Sequence, residues 1–167
     1  GDPALAQRVA GMVQSVQIRP TPQWGLDHGA WSVLRIMYPN ADVPVVQLSL
    51  DTTQPGAFHL ELARELAPLR DEGVLILASG NIVHNLRLLR FNDPAPLDWA
   101  DRANDLLRDR IEAGDVGALA DWRQFGADVT LAVPTPEHYL PLLYALGTRR
   151  EGDNIHIFND VVTSSLA

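Results

Sequence analysis

Five histidines are spread over a chain that has no cysteine, and three of them stand in loops composed to carry chemistry. His84 comes after the apolar run Gly73-Val74-Leu75-Ile76-Leu77 and the small-residue stretch Ala78-Ser79-Gly80-Asn81, with Asn85 beside it. A buried strand that ends in small residues and then presents a histidine is how an α/β enzyme brings a reactive side chain to the carboxyl edge of its sheet. His28 lies in Gly25-Leu26-Asp27-His28-Gly29 and His138 in Pro134-Thr135-Pro136-Glu137-His138. Imidazole titrates near neutrality and is the commonest metal ligand. With cysteine absent, any metal would rest on His, Asp or Glu. The expectation is that these three loops converge on one metal-dependent site.

Each histidine also has a plain structural reading. His84 could be a core residue satisfied by backbone, His138 a surface residue in a first helical turn, and His28 a partner of Asp27. No short-range ligand pattern such as His-Glu-x-x-His joins them. His59 follows Phe58 off an apolar helix face and is expected to be solvated; His156 alternates outward between Ile155 and Ile157. Neither is given a function. Arg87 could face a substrate carboxylate, but a surface ion pair is the preferred reading and it is given no role.

The elements that must position these residues follow from periodicity. Asp2-Pro3 starts a helix with Leu5, Val9 and Val13 on one face. Val16 to Ile18 alternates as a short strand, ended by Pro20-Thr21-Pro22. Ala30 to Tyr38 reads as a helix stopped by Pro39, which puts His28 just ahead of a helix N-terminus, where free N–H groups favour a neutral imidazole. Val45 to Leu50 reads as a strand. A helix from Pro55 to about Arg70 carries Phe58, Leu62, Leu66 and Leu69 on one face. After the strand at Gly73–Leu77, an amphipathic helix spans Asp98 to Ala113 with Trp99, Ala103, Leu106, Leu107 and Ile111 inward, and a shorter one spans Val116 to Trp122. Thr135 as N-cap with Pro136 at the first helical position starts another, with His138 in its first turn and Gly147 as its stop. Asn154 to Phe158 reads as a final strand. The β-α alternation predicts a single α/β domain over residues 1–167, with a mixed, partly parallel sheet flanked by helices.

Composition narrows the function classes. A hydrophobic fraction of 46% over 167 residues is enough for one sizeable core. The formal net charge of −8, with 13 Lys and Arg and no basic cluster, argues against nucleic acid and against an anionic membrane surface. No apolar run approaches the roughly 20 residues of a membrane span, and the N-terminus lacks a signal-peptide layout. A cytoplasmic location is the expectation.

Four stretches, in order over essentially the whole chain, resemble the class III extradiol ring-cleavage dioxygenases, and most closely their 4,5-DOPA dioxygenase-like branch. They are Gly25–Gly29, Val45–Ser49, Ala78–Arg87 and Pro134–Leu143. The resemblance implies an α/β fold with a non-haem Fe(II) centre, or Zn(II) in its place, at one end of the sheet. It also implies a catechol and O2 as substrates, the ring opening next to the diol to give a muconic semialdehyde. By motif, His138 resembles a metal ligand, His84 a second-sphere base or additional ligand, and His28 the acid that hydrogen-bonds oxygens derived from O2.

One departure matters. The family carries two further metal-binding histidines in an upstream segment, in a Gly-His-Gly-Ser-Pro-like loop and a Ser-Ala-His-Trp-like strand end, and neither motif is present here. The chain is therefore expected to correspond to the C-terminal two-thirds of such a domain, with the missing ligands absent or supplied by another chain, including a second copy in a homo-oligomer. Lost strands would leave an open sheet edge that invites pairing. Two alternatives remain: a non-catalytic fragment or partner-binding subunit, and a zinc hydrolase on the same scaffold.

Overall fold

A computed structural model describes residues 1–167. Seven α-helices form its frame: α1 (Pro3–Met12), α2 (His28–Met37), α3 (Gly56–Leu66), α4 (Asp98–Glu112), α5 (Val116–Ala120), α6 (Ala127–Ala132) and α7 (Leu140–Gly147). Short 3₁₀ turns continue α3 over Ala67–Glu72 and follow α5 over Trp122–Phe125. Caps explain the starts of the first two helices. Asp2 accepts from the Leu5 N–H at 2.9 Å, and Asp27 accepts from the Ala30 N–H at 2.9 Å. Each satisfies a donor that the first helical turn leaves free.

The core divides around two helix pairs. α3 crosses α7, and Gly147 permits the close approach: a Cβ there would lie 2.5 Å from the Ala63 Cβ. α4 packs on α6, and Ala100, Ala103, Leu107, Leu119, Val129, Ala132, Tyr139 and Leu143 form a dry cluster between them and α7. A second cluster of Val13, Leu62, Ala63, Leu66, Leu69 and Tyr144 seats α1 against α3. Leu50 packs against both clusters.

The expected mixed sheet is not formed. The stretches Val45–Leu50, Gly73–Leu77 and Asn154–Phe158 run without helix, but no backbone hydrogen bond joins them to each other, and residues 16–18 pair with nothing. Nor is Gly73–Leu77 the buried strand the sequence predicts: Val74 and Ile76 pack on the second cluster while Leu75 and Leu77 are exposed, so only one side is covered. The inward faces are therefore those of strands, but a strand also needs a neighbour about 4.8 Å away to take its N–H and C=O groups. No hydrogen-bonded neighbour of that kind serves them. The two β-bridges in the molecule are both antiparallel and isolated, His84 to Leu166 and Thr163 to Leu166.

Three other expectations change. α6 was not predicted, because six residues give too little periodicity to read. The helix expected from Pro136 begins at Leu140; Thr135 spends its hydroxyl on the Glu137 carboxylate at 2.7 Å, and Pro136 O accepts from both Tyr139 N and Leu140 N at 2.9 Å, so residues 134–139 are turns. His59 is fully buried instead of solvated. Its Nε2 lies 3.1 Å from the Asp51 carbonyl and its Nδ1 3.0 Å from the Tyr144 hydroxyl. A carbonyl only accepts, so Nε2 carries the proton and Nδ1 accepts from Tyr144. That pairing supplies the buried imidazole with both partners it needs.

Candidate functional site

The three singled-out histidines do meet. The His84 and His138 rings stack with centroids 3.5 Å apart and planes 17° from parallel, and the His28 ring centroid lies 6.3 Å from that of His138. His59 and His156 stand apart, the first in the α3–α7 core and the second exposed beside Phe158.

Direct links between the loops bring them together. Asn81 N–H donates to the His138 carbonyl at 2.9 Å, which ties the His84 loop to the His138 turn. Gly80 makes that approach possible, since a Cβ on it would lie 2.2 Å from His138 O. The Ser79 hydroxyl donates to Gly29 O at 2.6 Å and ties the same loop to the start of α2. His28 is the first residue of α2, one position further into the helix than the sequence suggests. Its N-cap is held in turn by Gln47, whose side chain accepts from Asp27 N at 3.0 Å and donates to the Asp27 carboxylate at 2.8 Å. The Val45–Ser49 motif thus reaches the site through one glutamine.

The electrostatics favour an uncharged His84. Burial lowers its pKa, and the stacked His138 lowers it further, against an opposing pull from Glu137. Desolvation disfavours the cation, and a second imidazole in contact penalises double protonation. Burial works to raise the Glu137 carboxyl, but the Thr135 hydroxyl, a backbone N–H and the two imidazoles together hold it below its ordinary value. The resulting face carries neutral imidazole and an exposed carboxylate, a set suited to accepting and returning a proton near neutral pH.

The same residues do not complete a metal centre. No group of three or more His, Asp or Glu side chains is placed to hold an ion. Two rings stacked face to face also send their in-plane nitrogen lone pairs alongside one another, and not to a common point. A catalytic metal takes three protein ligands or a two-histidine, one-carboxylate set. His84 and His138 alone fall short of either. An open groove of about 470 Å³, walled by Ala78, Ile82, Ile111, Leu142 and Ile157, does not include the three histidines.

The chain is similar to known proteins over most of its length. The chain is 46% identical over 152 residues to a 4,5-DOPA dioxygenase extradiol of Escherichia coli K12, covering 88% of this chain and 56% of that protein. It is 33% identical over 163 residues to a 4,5-DOPA dioxygenase extradiol of Beta vulgaris, covering 96% and 61%. A crystal structure of an uncharacterized protein from Escherichia coli K12 superposes with a TM-score of 0.87 at 41% identity, over 99% of this chain and 71% of that one. The chain therefore spans a little over half the length of the curated relatives it matches. The family model described as the catalytic LigB subunit of aromatic ring-opening dioxygenase matches residues 1–166. With that match, the relatives above 30% identity and the shared fold, the chain belongs to the LigB family of aromatic ring-opening dioxygenases.

Proposed function

We propose that this chain serves an extradiol ring-cleavage dioxygenase that opens a DOPA-like catechol with O2. The observation that carries the reading is the meeting of His28, His84 and His138, each from a motif of its own, on one face. The names of the relatives support the same reaction class, and dioxygenases of this family depend on a metal. Fe(II) or Zn(II) would supply Lewis acidity toward the two catechol oxygens. The donors of this chain give such an ion at most His84 and His138, with the remaining ligands from outside this set.

The roles of the chain's own residues follow from their placement. His84, kept neutral by burial and by His138, accepts a proton from a catechol hydroxyl. His28, exposed at the first position of α2, is free to donate a hydrogen bond to an oxygen on the substrate. Residues 1–167 act as one folded unit because Leu50 joins the two core clusters. No helix is long and apolar enough to cross a membrane, and the reading as a cytoplasmic protein rests on the sequence alone.

The test is oxygen uptake by freshly Fe(II)-supplied protein with DOPA and simple catechols, followed at visible wavelengths for a yellow semialdehyde. Uptake that tracks formation of the coloured product supports the dioxygenase. Hydrolysis of an ester or amide without oxygen demand would replace it with the zinc-hydrolase reading, and neither activity would remove catalysis from this chain.

A further inference from the structure

One of the two β-bridges in the molecule is made at His84, and its partner is the segment 165–167. Val83 N donates to Ala167 O at 3.3 Å, and Ala167 N donates back to Val83 O at 2.9 Å. Asn85 N donates to Ser165 O at 3.1 Å, while the Ser165 hydroxyl donates to Asn85 O at 2.7 Å. The Asn81 amide adds a bond to Ala167 O at 3.0 Å. On the opposite flank, His84 N donates to Ala132 O and the Asn85 amide to Leu131 O, both at 2.8 Å, at the C-terminal end of α6. The backbone that carries His84 is thus gripped from two sides while its ring stays against His138.

We propose that residues 163–167 form a positioning strap for His84, fastened by the hydroxyl of Ser165. Ser164 and Ser165 are both fully buried, yet they are attached to different places. Ser164 faces the 90–97 loop: its hydroxyl accepts from Arg90 N at 2.9 Å, its carbonyl accepts from Leu97 N at 2.9 Å, and its N–H donates to Pro94 O at 3.1 Å. Ser165 alone reaches the His84 strand with its side chain. Loss of that hydroxyl leaves the Asn85 carbonyl with the Leu88 N–H alone, at 3.1 Å, and loosens the backbone that follows His84. The inference gives the proposed site a positioning residue, and it rests on His84 acting there.

Because the two serines are equally buried and each hydroxyl makes a backbone bond, Ser164→Ala is the control for Ser165→Ala. Both variants are expected to lower thermal stability. Only Ser165→Ala is expected to move the His84 imidazole signals in proton–nitrogen correlation spectra at fixed pH, assigned by comparison with His84→Ala. It should also lower kcat for catechol by about tenfold with KM unchanged, a fraction of the roughly hundredfold that a 1 Å misplacement of a reacting group can cost. Equal movement of the His84 signals in both variants, or movement in neither, overturns the strap. If Ser165→Ala does not fold, the near-isosteric Ser165→Cys decides by the same spectra. Spectra that separate the serines in a protein without oxygen uptake would keep the strap and remove the proposed activity.

Discussion

Gly80→Ala tests how the loops are held together. The added Cβ would sit 2.2 Å from the His138 carbonyl oxygen, 3.1 Å from its carbon and 3.2 Å from Pro141 Cγ. Two of these neighbours are backbone, so the strain cannot be relieved by turning a side chain; the loops must part by roughly 1.2 Å to restore an ordinary contact of 3.4 Å. That separation breaks the 2.9 Å bond from Asn81 N to His138 O. A lost hydrogen bond costs about 1 kcal/mol net and forced overpacking about 1–3 kcal/mol, so the expected loss is about 2–4 kcal/mol. For a domain of this size that is a fall in Tm of roughly 5–15 °C. The matched control is Gly117→Ala in α5, where an added Cβ meets nothing within 4 Å, and the change should be neutral or stabilising by about 0.5–1 kcal/mol. Denaturant unfolding with unchanged m reads both values. A Gly80→Ala midpoint within about 0.5 kcal/mol of wild type, the range of an ordinary surface change, would refute the reasoning.

Other consequences are independent of that contact. Tyr144→Phe leaves His59 Nδ1 without its donor in a fully buried position and should cost about 1–3 kcal/mol by denaturant unfolding. Burial lowers the His59 pKa below its ordinary value, so the unfolded chain binds its proton first. Its contribution to stability is complete above the unfolded value near 6.5 and is lost as pH falls toward the folded one, which a pH series of melting curves on wild type and His59→Asn would show as a steeper acid loss in wild type. Asp153, held down to about 2 by hydrogen bonding to Arg70, contributes stability above its unfolded pKa near 3.8 and loses it as pH falls toward 2; Asp153→Asn should flatten that part of the acid limb. Asp27→Ala removes the cap of α2 and the side-chain half of the Gln47 clamp and should cost about 1 kcal/mol, read by thermal melts.

Much of the site was legible because its parts are local. His28, His84 and His138 stood out in three loops, and those loops meet; the close approach at Gly80 and the Asp27 cap that hold them together were not read from the sequence. The stacking of His84 on His138 was not legible, since it depends on links between loops more than 50 residues apart in the chain. The long helices α3 and α4 were read from their apolar stripes, while His59 was misplaced because a neutral imidazole buried by one tyrosine and one carbonyl looks, in sequence, like any polar helix residue. Alternation gave the inward Ile155 and Ile157 and the outward His156, but the continuous apolar run Val74–Leu77 hid that Leu75 and Leu77 face out, and neither pattern supplies the neighbour whose backbone makes a sheet. The same limit hid the strap, because Ser164-Ser165 is an unremarkable pair until its partner at Asn85 is seen.

The most direct measurement is the catechol-dependent rate of oxygen uptake in His28→Ala, His84→Ala and His138→Ala, with His156→Ala as the exposed control and circular dichroism to show that each is folded. The three-histidine face predicts a loss of about a hundredfold or more for each of the first three, the range of general acid–base contributions, and a wild-type rate for His156→Ala. A folded His84→Ala or His138→Ala protein that cleaves catechol at the wild-type rate would contradict it.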